Sequence, residues 1–523
     1  MLLGLPWSGP AFGSTISTIS TTTTSTTGVA AFPSWTVYHG DPAGSGVAAS
    51  VTSVNVSSPV WTSPALDGQL YGEPLVSGGL VFVATENDTV DGLSATTGVV
   101  VWSTHLGTPV PSQSLPCGDI SPTVGITGTP VIDAARGELF VVADELIHGT
   151  AAHQLVGLST ATGKTELNQN VDPSGSTPTA LLQRTGLTLD GGRVVFGYGG
   201  NYGDCSTYHG WVLSVPEAGG ATAAFAVDSA AGESQGAVWM GGASPVVDAS
   251  GNIWVTVGNG SVYSSSHAYD DSDSVLELSP SLALEQYFAP SSWPSDNAHD
   301  LDISTAPALL ADGQVVAAGK ARVVYLLDGS RLGGIGGQQA ALADACGNDI
   351  DGGVAVVGTT VYLPCLSGPI AVQVSASPAG LHLLWSASVG GGPPVVAAGL
   401  VWTIGSNGVL YGLNSSSGAV EERATIGTPA NHFPTPSFGA DLLLAPSANQ
   451  VVAFAASSAA APTTTTTTTP VPSSTTLPRT ALPAVRSDGT NPWIIAAAIV
   501  GGIAILGVLI WLRRRRRRPA RTA

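Results

Sequence analysis

The sequence has few charged residues and very few basic ones. Charged side chains make up 10% of the 523 residues, and the chain has only two lysines, Lys164 and Lys320. Seven of the 17 basic residues lie after Leu512, so the chain before it holds ten basic residues against 36 acidic ones. A body this acidic repels phosphate backbones, which argues against nucleic-acid binding. The charge itself is typical of a protein kept soluble in an exposed, salty or acidic medium.

Long amphipathic helical periodicity is also missing. Glycine, by contrast, is abundant at 66 residues, and valine, threonine and serine are frequent. This composition is typical of many short strands joined by tight turns, so we expect an all-β protein.

One stretch of the chain is repeated much later. Gly72–Trp102 (GEPLVSGGLVFVATENDTVDGLSATTGVVVW) aligns without a gap to the segment that begins at Gly392 (GPPVVAAGLVWTIGSNGVLYGLNSSSGAVE). Each copy predicts three short strands and a turn into a fourth, and such self-similarity is the signature of a repeat fold. Eight units of this kind are predicted, beginning at Gly72, Gly128, Leu187, Pro245, Pro307, Val354, Gly392 and Pro436.

The eighth unit stops without a fourth strand. An isolated strand at Val60–Thr62, which lies before the first unit, could supply it and join the two ends of the domain. Closure removes exposed sheet edges, and units of about 50 residues fit a β-propeller. We therefore predict an eight-bladed β-propeller of four-stranded blades over residues 32–456. A count of seven blades remains an alternative, because the third and sixth units match the repeat weakly. An open solenoid is the competing architecture.

The C-terminal end has the pattern of a membrane anchor. Trp493–Leu512 holds 20 residues without a charge, which as a helix would measure ~30 Å, enough to cross a bilayer. Arg513–Arg518 follow at once, and the positive-inside rule puts this basic tail (513–523) in the cytoplasm. We therefore expect a single-pass membrane protein whose propeller lies outside the cell.

Between the propeller and that span lies a Thr/Pro-rich stalk, residues 457–492, which cannot bury a core. Inside it, Leu477, Pro478, Arg479, Thr480 and Ala481 resemble the LPxTG wall-sorting signal of Gram-positive surface proteins. Ala481 stands where that motif has glycine. A retained membrane anchor and attachment to the cell wall both stay open.

The N-terminus carries a poor export signal. Residues 1–31 have no basic residue, and their short apolar run is broken by Pro6 and Pro10. The segment is interpreted as an atypical signal, or as one whose true start lies upstream of Met1.

The four cysteines predict two disulfides. An even number in an exported domain is typical of a disulfide framework, and four cysteines allow three pairings. Cys346 and Cys365 flank one predicted crossing between units, while Cys117 and Cys205 both fall in loops of the first three units. We expect the pairs Cys346–Cys365 and Cys117–Cys205. Zinc is the rival interpretation, but the spacing offers no metal-binding motif.

The strand-turns LSATTG and LSTATG, the first followed by a tryptophan strand, resemble the PQQ-like (quinoprotein alcohol dehydrogenase-like) propeller repeat. The lead-in from Trp35 to Asp41 is similar to the opening of such domains. The resemblance implies the propeller fold and two functions from different classes. One is a propeller without a cofactor that serves as a scaffold, and the other is a dehydrogenase that uses PQQ and Ca²⁺.

The dehydrogenase pattern implies candidate site residues. Asn259, in a stretch similar to the family's Thr-Gly-Asn, would be an amide ligand of Ca²⁺, with Asp300 or Asp302 as the acidic residue. Lys320, at a predicted strand end, could meet a quinone carbonyl. No adjacent Cys-Cys pair is present, and neither the Glu ligand nor the Trp floor of the quinone can be placed.

Asn259 lies in the loop of residues 258–273, and Asp300 and Asp302 lie in the loop of residues 293–305. Both loops contain further polar groups. Hard oxygen donors for a metal or cofactor are Asp270, Asp271, Asp273, Asp296 and Asn297. His267 and His299 could serve as acid or base. Such side chains in propeller loops also cap turns, which is the simpler interpretation. The tryptophans of the region are expected to pack between blades: Trp211, Trp239, Trp254 and Trp293.

Two functions follow. The first is a membrane-anchored extracellular propeller that binds a protein or glycan ligand at the cell surface. The second is a PQQ- and Ca²⁺-dependent dehydrogenase of alcohols or sugars tethered outside the membrane. The first needs only what the sequence shows, whereas the second needs a complete pocket, so binding is favoured.

Overall fold

The computed structural model describes residues 34–459. The predicted signal region, nearly all of the stalk, the membrane span, the basic tail and the LPxTG-like motif lie outside these residues. Within them, no helix is both long and apolar enough to cross a membrane. The one α-helix of the described part, α1, is short and spans Trp293–His299.

The regular secondary structure of the described chain consists almost entirely of short β-strands. Ahead of the first repeat are β1 (Val51–Asn55) and β2 (Trp61–Thr62). The first four repeats and their connections contain β3 (Leu75–Ser77), β4 (Leu80–Ala84), β5 (Thr89–Ser94), β6 (Val100–His105), β7 (Val110–Pro111), β8 (Thr123–Val124), β9 (Val131–Asp133), β10 (Glu138–Ile147), β11 (Thr150–Ser159), β12 (Thr165–Asn170), β13 (Leu181–Leu182), β14 (Thr188–Asp190), β15 (Arg193–Gly200), β16 (Trp211–Pro216), β17 (Ala223–Ala226), β18 (Val246–Val247), β19 (Ile253–Val257), β20 (Ser274–Leu278) and β21 (Leu284–Ala289). The last four contain β22 (Ala308–Leu309), β23 (Gln314–Ala318), β24 (Val324–Asp328), β25 (Gly334–Ile335), β26 (Ala340–Leu342), β27 (Ala355–Val357), β28 (Thr360–Leu363), β29 (Ile370–Ala376), β30 (Ala379–Ser386), β31 (Val395–Ala397), β32 (Leu400–Ile404), β33 (Val409–Asn414), β34 (Val420–Thr425), β35 (Ser437–Gly439), β36 (Leu442–Ser447) and β37 (Gln450–Ser458). Single 3-10 turns lie at Ser112–Ser114, Pro178–Ala180 and Met240–Gly242.

These strands form eight sheets of four or five strands, the blades of a β-propeller, and a separate two-stranded sheet, β7–β8; all pairs are antiparallel except β21 with β25. Blades 1 to 8 begin with β3, β9, β14, β18, β22, β27, β31 and β35, and the first strands of most neighbouring blades contact one another, β3 with β35 included. First strands are mostly buried, whereas fourth strands such as β6, β12 and β34 alternate between exposed and half-buried residues. The first strands therefore surround the axis. The prediction of eight blades is confirmed, and the seven-bladed and solenoid alternatives are not.

The strand order gives the ring two unlike faces. Because successive strands of a blade are antiparallel, the connections between second and third strands lie on the same face as the connections between blades. We call this side the loop face; it carries the long segments, such as residues 258–273. The opposite side, the turn face, carries the tight turns between first and second strands and between third and fourth strands.

The ring is closed by the strand that the sequence singled out. Trp61 pairs with Ala453 and Thr62 with Val452 of β37, which confirms that β2 completes blade 8. The sequence missed β1, which extends the same outer edge by pairing Val51–Asn55 with the end of β37. Its five residues are mostly exposed, so they lack the apolar alternation by which a strand is recognised.

Three tryptophans on outer strands pack against the glycine turn of the next blade. Each indole N–H donates to a carbonyl of that turn: Trp61 to Ala95 O at 2.9 Å, Trp102 to Thr160 O at 3.0 Å and Trp385 to Ser415 O at 3.0 Å. The matching glycines, all at positive φ, are Gly98, Gly163 and Gly418. A Cβ on Gly98 would lie 2.5 Å from the Trp61 ring, so only glycine fits beneath the indole. The contact explains why the repeat carries both residues.

Both predicted disulfides are present. Cys117 pairs with Cys205 and Cys346 with Cys365, with Cα atoms 6.2 and 6.1 Å apart. Each joins a connection between blades to a loop between second and third strands, so both lie on the loop face.

The segment before β1 circles the inside of the ring. We call Trp35–Ala48 the axial segment; the sequence interpreted it only as a polar lead-in. Its backbone hydrogen-bonds in turn to first strands of five blades, through Val76, Ile132, Val247, Val356 and Val396. This segment therefore fills the centre of the ring and ties blades together that are not neighbours.

We predict that Gly98→Ala destabilises the ring more than Gly79→Ala does. Both glycines have positive φ, +71° and +81°, so both variants carry the backbone strain of about 1–2 kcal/mol. Only at Gly98 does the new methyl group meet an indole, whereas Gly79 has nothing within 4 Å. Overpacking should lower the free energy of unfolding by roughly a further 1–3 kcal/mol, measured by denaturant titration. Equal losses in the two variants would contradict the docking role of Trp61.

Candidate functional site

Polar and aromatic side chains from several blades converge on the loop face. We call six of them the funnel cluster: Tyr71, Arg184, Trp239, Asp302, Lys320 and Phe433. Lys320 follows β23, and each of the others lies in a connection between two blades. The closed ring therefore brings together residues that are far apart in sequence.

Asp302 holds one half of the cluster. Its Oδ1 accepts a hydrogen bond from the backbone N–H of Asn259 at 2.7 Å, and its Oδ2 accepts one from the indole of Trp239 at 3.1 Å. Lys320 Nζ lies 2.8 Å from the same Oδ2 and 2.8 Å from Asp300 Oδ1. Burial opposes the charge on Lys320, but the two carboxylates outweigh it and raise its pKa. Asn259, Asp300, Asp302 and Lys320, which the sequence proposed, are thus brought together.

The described residues do not fit PQQ and its Ca²⁺ at this place. Three donors already engage the Asp302 carboxylate: the Trp239 indole, the Asn259 backbone N–H and Lys320. The carboxylate therefore forms an ion pair with Lys320 inside the protein. Trp239 has Lys320 Nζ 5.3 Å from its ring centroid and the tilted Phe433 ring 5.9 Å away, so two side chains of the cluster already contact its ring. Within residues 34–459, no group of three or more His, Cys, Asp or Glu side chains is placed to hold a metal ion. Trp239, expected to pack between blades, instead faces the cluster as well.

The other polar candidates stabilise the loop that precedes β20. Asn297 accepts from the N–H of Gly260 at 2.6 Å and donates to Val262 O at 2.8 Å. Asp270 accepts from Ser272, and Asp296 accepts from Ser292. These bonds hold the turns of the loop and link Ser292 to the first turn of helix α1, a structural role like that of the simpler interpretation. The remaining candidates of the same loops do not join the funnel cluster: Asp271, Asp273, His267 and His299.

Arg184 occupies the other half of the cluster. Its guanidinium carbon lies 5.8 Å from the ring centroid of Tyr71 and 5.6 Å from that of Phe433. Burial lowers the pKa of Arg184, and burial together with Glu86 raises the pKa of Tyr71 to about 12. Arg184, Tyr71 and Phe433 were not selected from the sequence, because none stands in a repeated motif.

A group of buried carboxyls lies between blades 1 and 2 on the same face: Glu86, Asp88, Asp144 and Glu145. Both oxygens of Asp88 and of Asp144 lack a hydrogen-bond partner within the described chain. Burial, and then the neighbouring carboxyls, raise the pKa of Asp88 to about 10. Asp88 is therefore a neutral acid at neutral pH.

Comparisons with known proteins agree on the architecture. A family profile described as outer membrane protein assembly factor BamB matches residues 9–215, less than half of the chain. No curated protein matches the sequence. Similar solved structures include the quinohemoprotein alcohol dehydrogenase of Comamonas testosteroni, with 15% identity and a TM-score of 0.62 over 81% of this chain and 80% of that one.

Two further solved structures are similar to this chain at comparably low sequence identity. The quinohemoprotein alcohol dehydrogenase ADHIIG of Pseudomonas putida HK5 has 12% identity and a TM-score of 0.59, over 87% of this chain and 82% of that one. BamB of Moraxella catarrhalis has 16% identity and a TM-score of 0.50, over 77% of this chain and 100% of that one. At these identities the likeness shows the propeller fold and leaves the function to the site.

The buried carboxyls predict that the ring is more stable in mild acid than in mild base. Burial is the first cause of a raised pKa at each of five positions: Glu86, Asp144 and Asp351 at about 7, and Asp88 and Asp228 at about 10. Between pH 5 and 8 the folded state binds more protons at these groups than the unfolded state, so stability falls as pH rises. Buried His39, whose pKa is lowered to about 4, acts in the opposite sense as pH falls below its ordinary value.

Thermal unfolding at pH 5 and pH 8 measures this effect, and we expect the higher melting temperature at pH 5. Asp88→Asn should shrink the difference because it removes one of the groups that releases a proton on unfolding. Asp312→Asn, at an exposed turn, serves as the matched control and should leave the difference unchanged. A melting temperature that rises from pH 5 to pH 8 would refute the prediction.

Proposed function

We propose that the protein is a non-catalytic propeller displayed at the cell surface, which binds a protein or glycan ligand on its loop face. The observation that carries this proposal is the place where the chain leaves the ring. Strand β37 runs from the loop face to the turn face and ends at Ser458. A tether that begins there leaves the funnel cluster, on the opposite face, free for a ligand.

The tether itself comes from the sequence. In this proposal residues 1–31 direct export, residues 457–492 form the stalk, 493–512 span the membrane and 513–523 remain in the cytoplasm. The LPRTA motif (Leu477, Pro478, Arg479, Thr480, Ala481) would allow transfer to the cell wall as an alternative end point. The two disulfides support an exported domain, since such bonds persist in oxidising compartments.

Binding is favoured over catalysis by what the candidate residues already do. Asp302 and Lys320 neutralise each other, and the backbone N–H of Asn259 and the indole of Trp239 engage the same carboxylate. A general base or metal ligand would need an unengaged oxygen at this place. The charges thus fix the shape of the loop face.

We expect the loop face to be reachable from outside intact cells. In the whole chain, a cysteine introduced by Ser264→Cys lies in an exposed loop of that face. It should react with a membrane-impermeant maleimide on intact cells. Thr522→Cys, in the predicted cytoplasmic tail, is the matched control and should react only after lysis. Labelling of Ser264→Cys only after lysis would contradict surface display.

The second candidate function is a PQQ- and Ca²⁺-dependent dehydrogenase, favoured by the convergence of Asn259, Asp302, Lys320 and Trp239. It can be tested by adding PQQ and Ca²⁺ to the whole chain in detergent. We expect neither a quinone absorbance on the protein at high micromolar PQQ nor dye reduction with ethanol or glucose. A known apo-quinoprotein checks the reagents. Binding of PQQ together with dye reduction would contradict the non-catalytic proposal and support the dehydrogenase.

A further inference from the structure

Arg184 is a buried cation without an anionic partner. It is 8% exposed and is the one Arg or Lys side chain of residues 34–459 that is buried. Within those residues it takes part in no salt bridge and donates no hydrogen bond, whereas Lys320 pairs with Asp300 and Asp302. Taking a charge out of water without a direct partner costs free energy, and Glu86 and Asp119, the carboxyls that act on Arg184, lie beyond salt-bridge distance.

The geometry around Arg184 leaves the donor edges of the guanidinium unused. The rings of Tyr71 and Phe433 lie 5.8 and 5.6 Å from its central carbon and occupy its neighbourhood by cation–π contact. These rings accept no N–H hydrogen bond in the plane of the guanidinium. The five N–H donors, which form a flat fork, are therefore available to a ligand.

The backbone beneath Arg184 is shaped to admit it. Met240, Gly241 and Gly242 all have positive φ, at 48°, 56° and 88°. A side chain at Gly242 would overlap the guanidinium, and Met240 adopts a conformation that is rare for a residue with a side chain. Strain of this kind is found where a site is held in a set shape. The turn at Met240–Gly242 thus presents Arg184 to the loop face.

We propose that Arg184 binds the carboxylate of an organic acid whose flat, apolar part lies against Phe433 and Trp239. A carboxylate matches the guanidinium fork with two parallel hydrogen bonds. Phe433 and Trp239, with ring centroids 5.9 Å apart, offer the adjoining aromatic surface. A phosphate dianion is disfavoured, because Glu86 acts on Arg184 from nearby and the body of the protein is strongly acidic. The acid comes either from a free small molecule or from the C-terminal end of a chain, which share this chemistry.

The inference rests on the proposed binding function and names the ligand class of its site. Isothermal titration of the whole chain in detergent, with benzoate as the probe, measures it. Benzoate should bind, while benzamide and inorganic phosphate should bind at least about tenfold more weakly. The peptide Gly-Gly-Phe and its C-terminal amide separate the two sources: tighter binding of the peptide acid than of benzoate assigns a chain end, and weaker binding assigns a free acid.

Arg184→Gln should weaken benzoate binding at least about tenfold, because it removes the charged fork. Arg322→Gln makes the same change at an exposed arginine of the loop face and should leave binding unchanged. Should Arg184→Gln fail to fold, as judged by circular dichroism, Phe433→Leu tests the aromatic wall and should weaken benzoate more than acetate.

Equal binding of benzoate and benzamide, equal binding of phosphate, or no benzoate binding at all would each overturn the proposal. So would unchanged benzoate binding in Arg184→Gln. These outcomes are distinguishable from failure of the proposed function, since labelling of Ser264→Cys on intact cells reports surface display without reference to any ligand.

Discussion

The contact of an outer-strand tryptophan with the glycine turn of the next blade is the interaction on which the ring depends. It occurs between blades 1 and 2 and between blades 6 and 7. Trp61 makes it again where the two ends of the domain meet. Closure therefore uses the same packing and the same indole hydrogen bond as an ordinary blade interface. The ring therefore closes by ordinary strand pairing: β2, from the beginning of the described chain, completes blade 8 at its end.

Rigid closure is also what makes the loop face a site. Each connection between blades is anchored at both ends by strands, and two disulfides hold such connections to neighbouring loops. Charges that would be solvated on a mobile loop are instead fixed against one another, as with Asp302 and Lys320. Arg184 differs because the ring buries it beside aromatic rings rather than beside a carboxylate. The charges are thus paired in the half of the face that holds Asp302 and Lys320. In the other half Arg184 forms no salt bridge.

The sequence predicted the blades because the physical cause of a blade is local. Glycine turns, apolar alternation and a tryptophan strand recur along the chain, so eight units could be traced one by one, with seven left open by the weak third and sixth units. Through a family resemblance it also named Asn259, Asp302 and Lys320, which the structure brings together. Their mutual neutralisation was not readable, because it depends on distances between blades 4 and 5.

The features that could not be predicted from the sequence lie outside the repeated pattern. Strand β1 is short and mostly exposed, the axial segment has no strand pattern, and Tyr71, Arg184 and Phe433 stand in three unrelated connections. Their proximity exists only after closure. One signal was present for Arg184: it is one of few basic residues in an acidic body and lies two residues after an apolar pair, Leu181–Leu182.

The axial segment has a consequence for how the protein is made. It is synthesised before every blade, yet His39 bonds to Val354, 315 residues later in the chain. Until blades 6 and 7 exist, the backbone groups of its last residues, Ser45, Gly46 and Ala48, have no final partners, so the segment cannot reach its final conformation before those blades form. A truncated product would keep its centre unsatisfied and open to proteases. The axial segment, at the start of the described residues, thus depends on contacts that only the complete ring supplies.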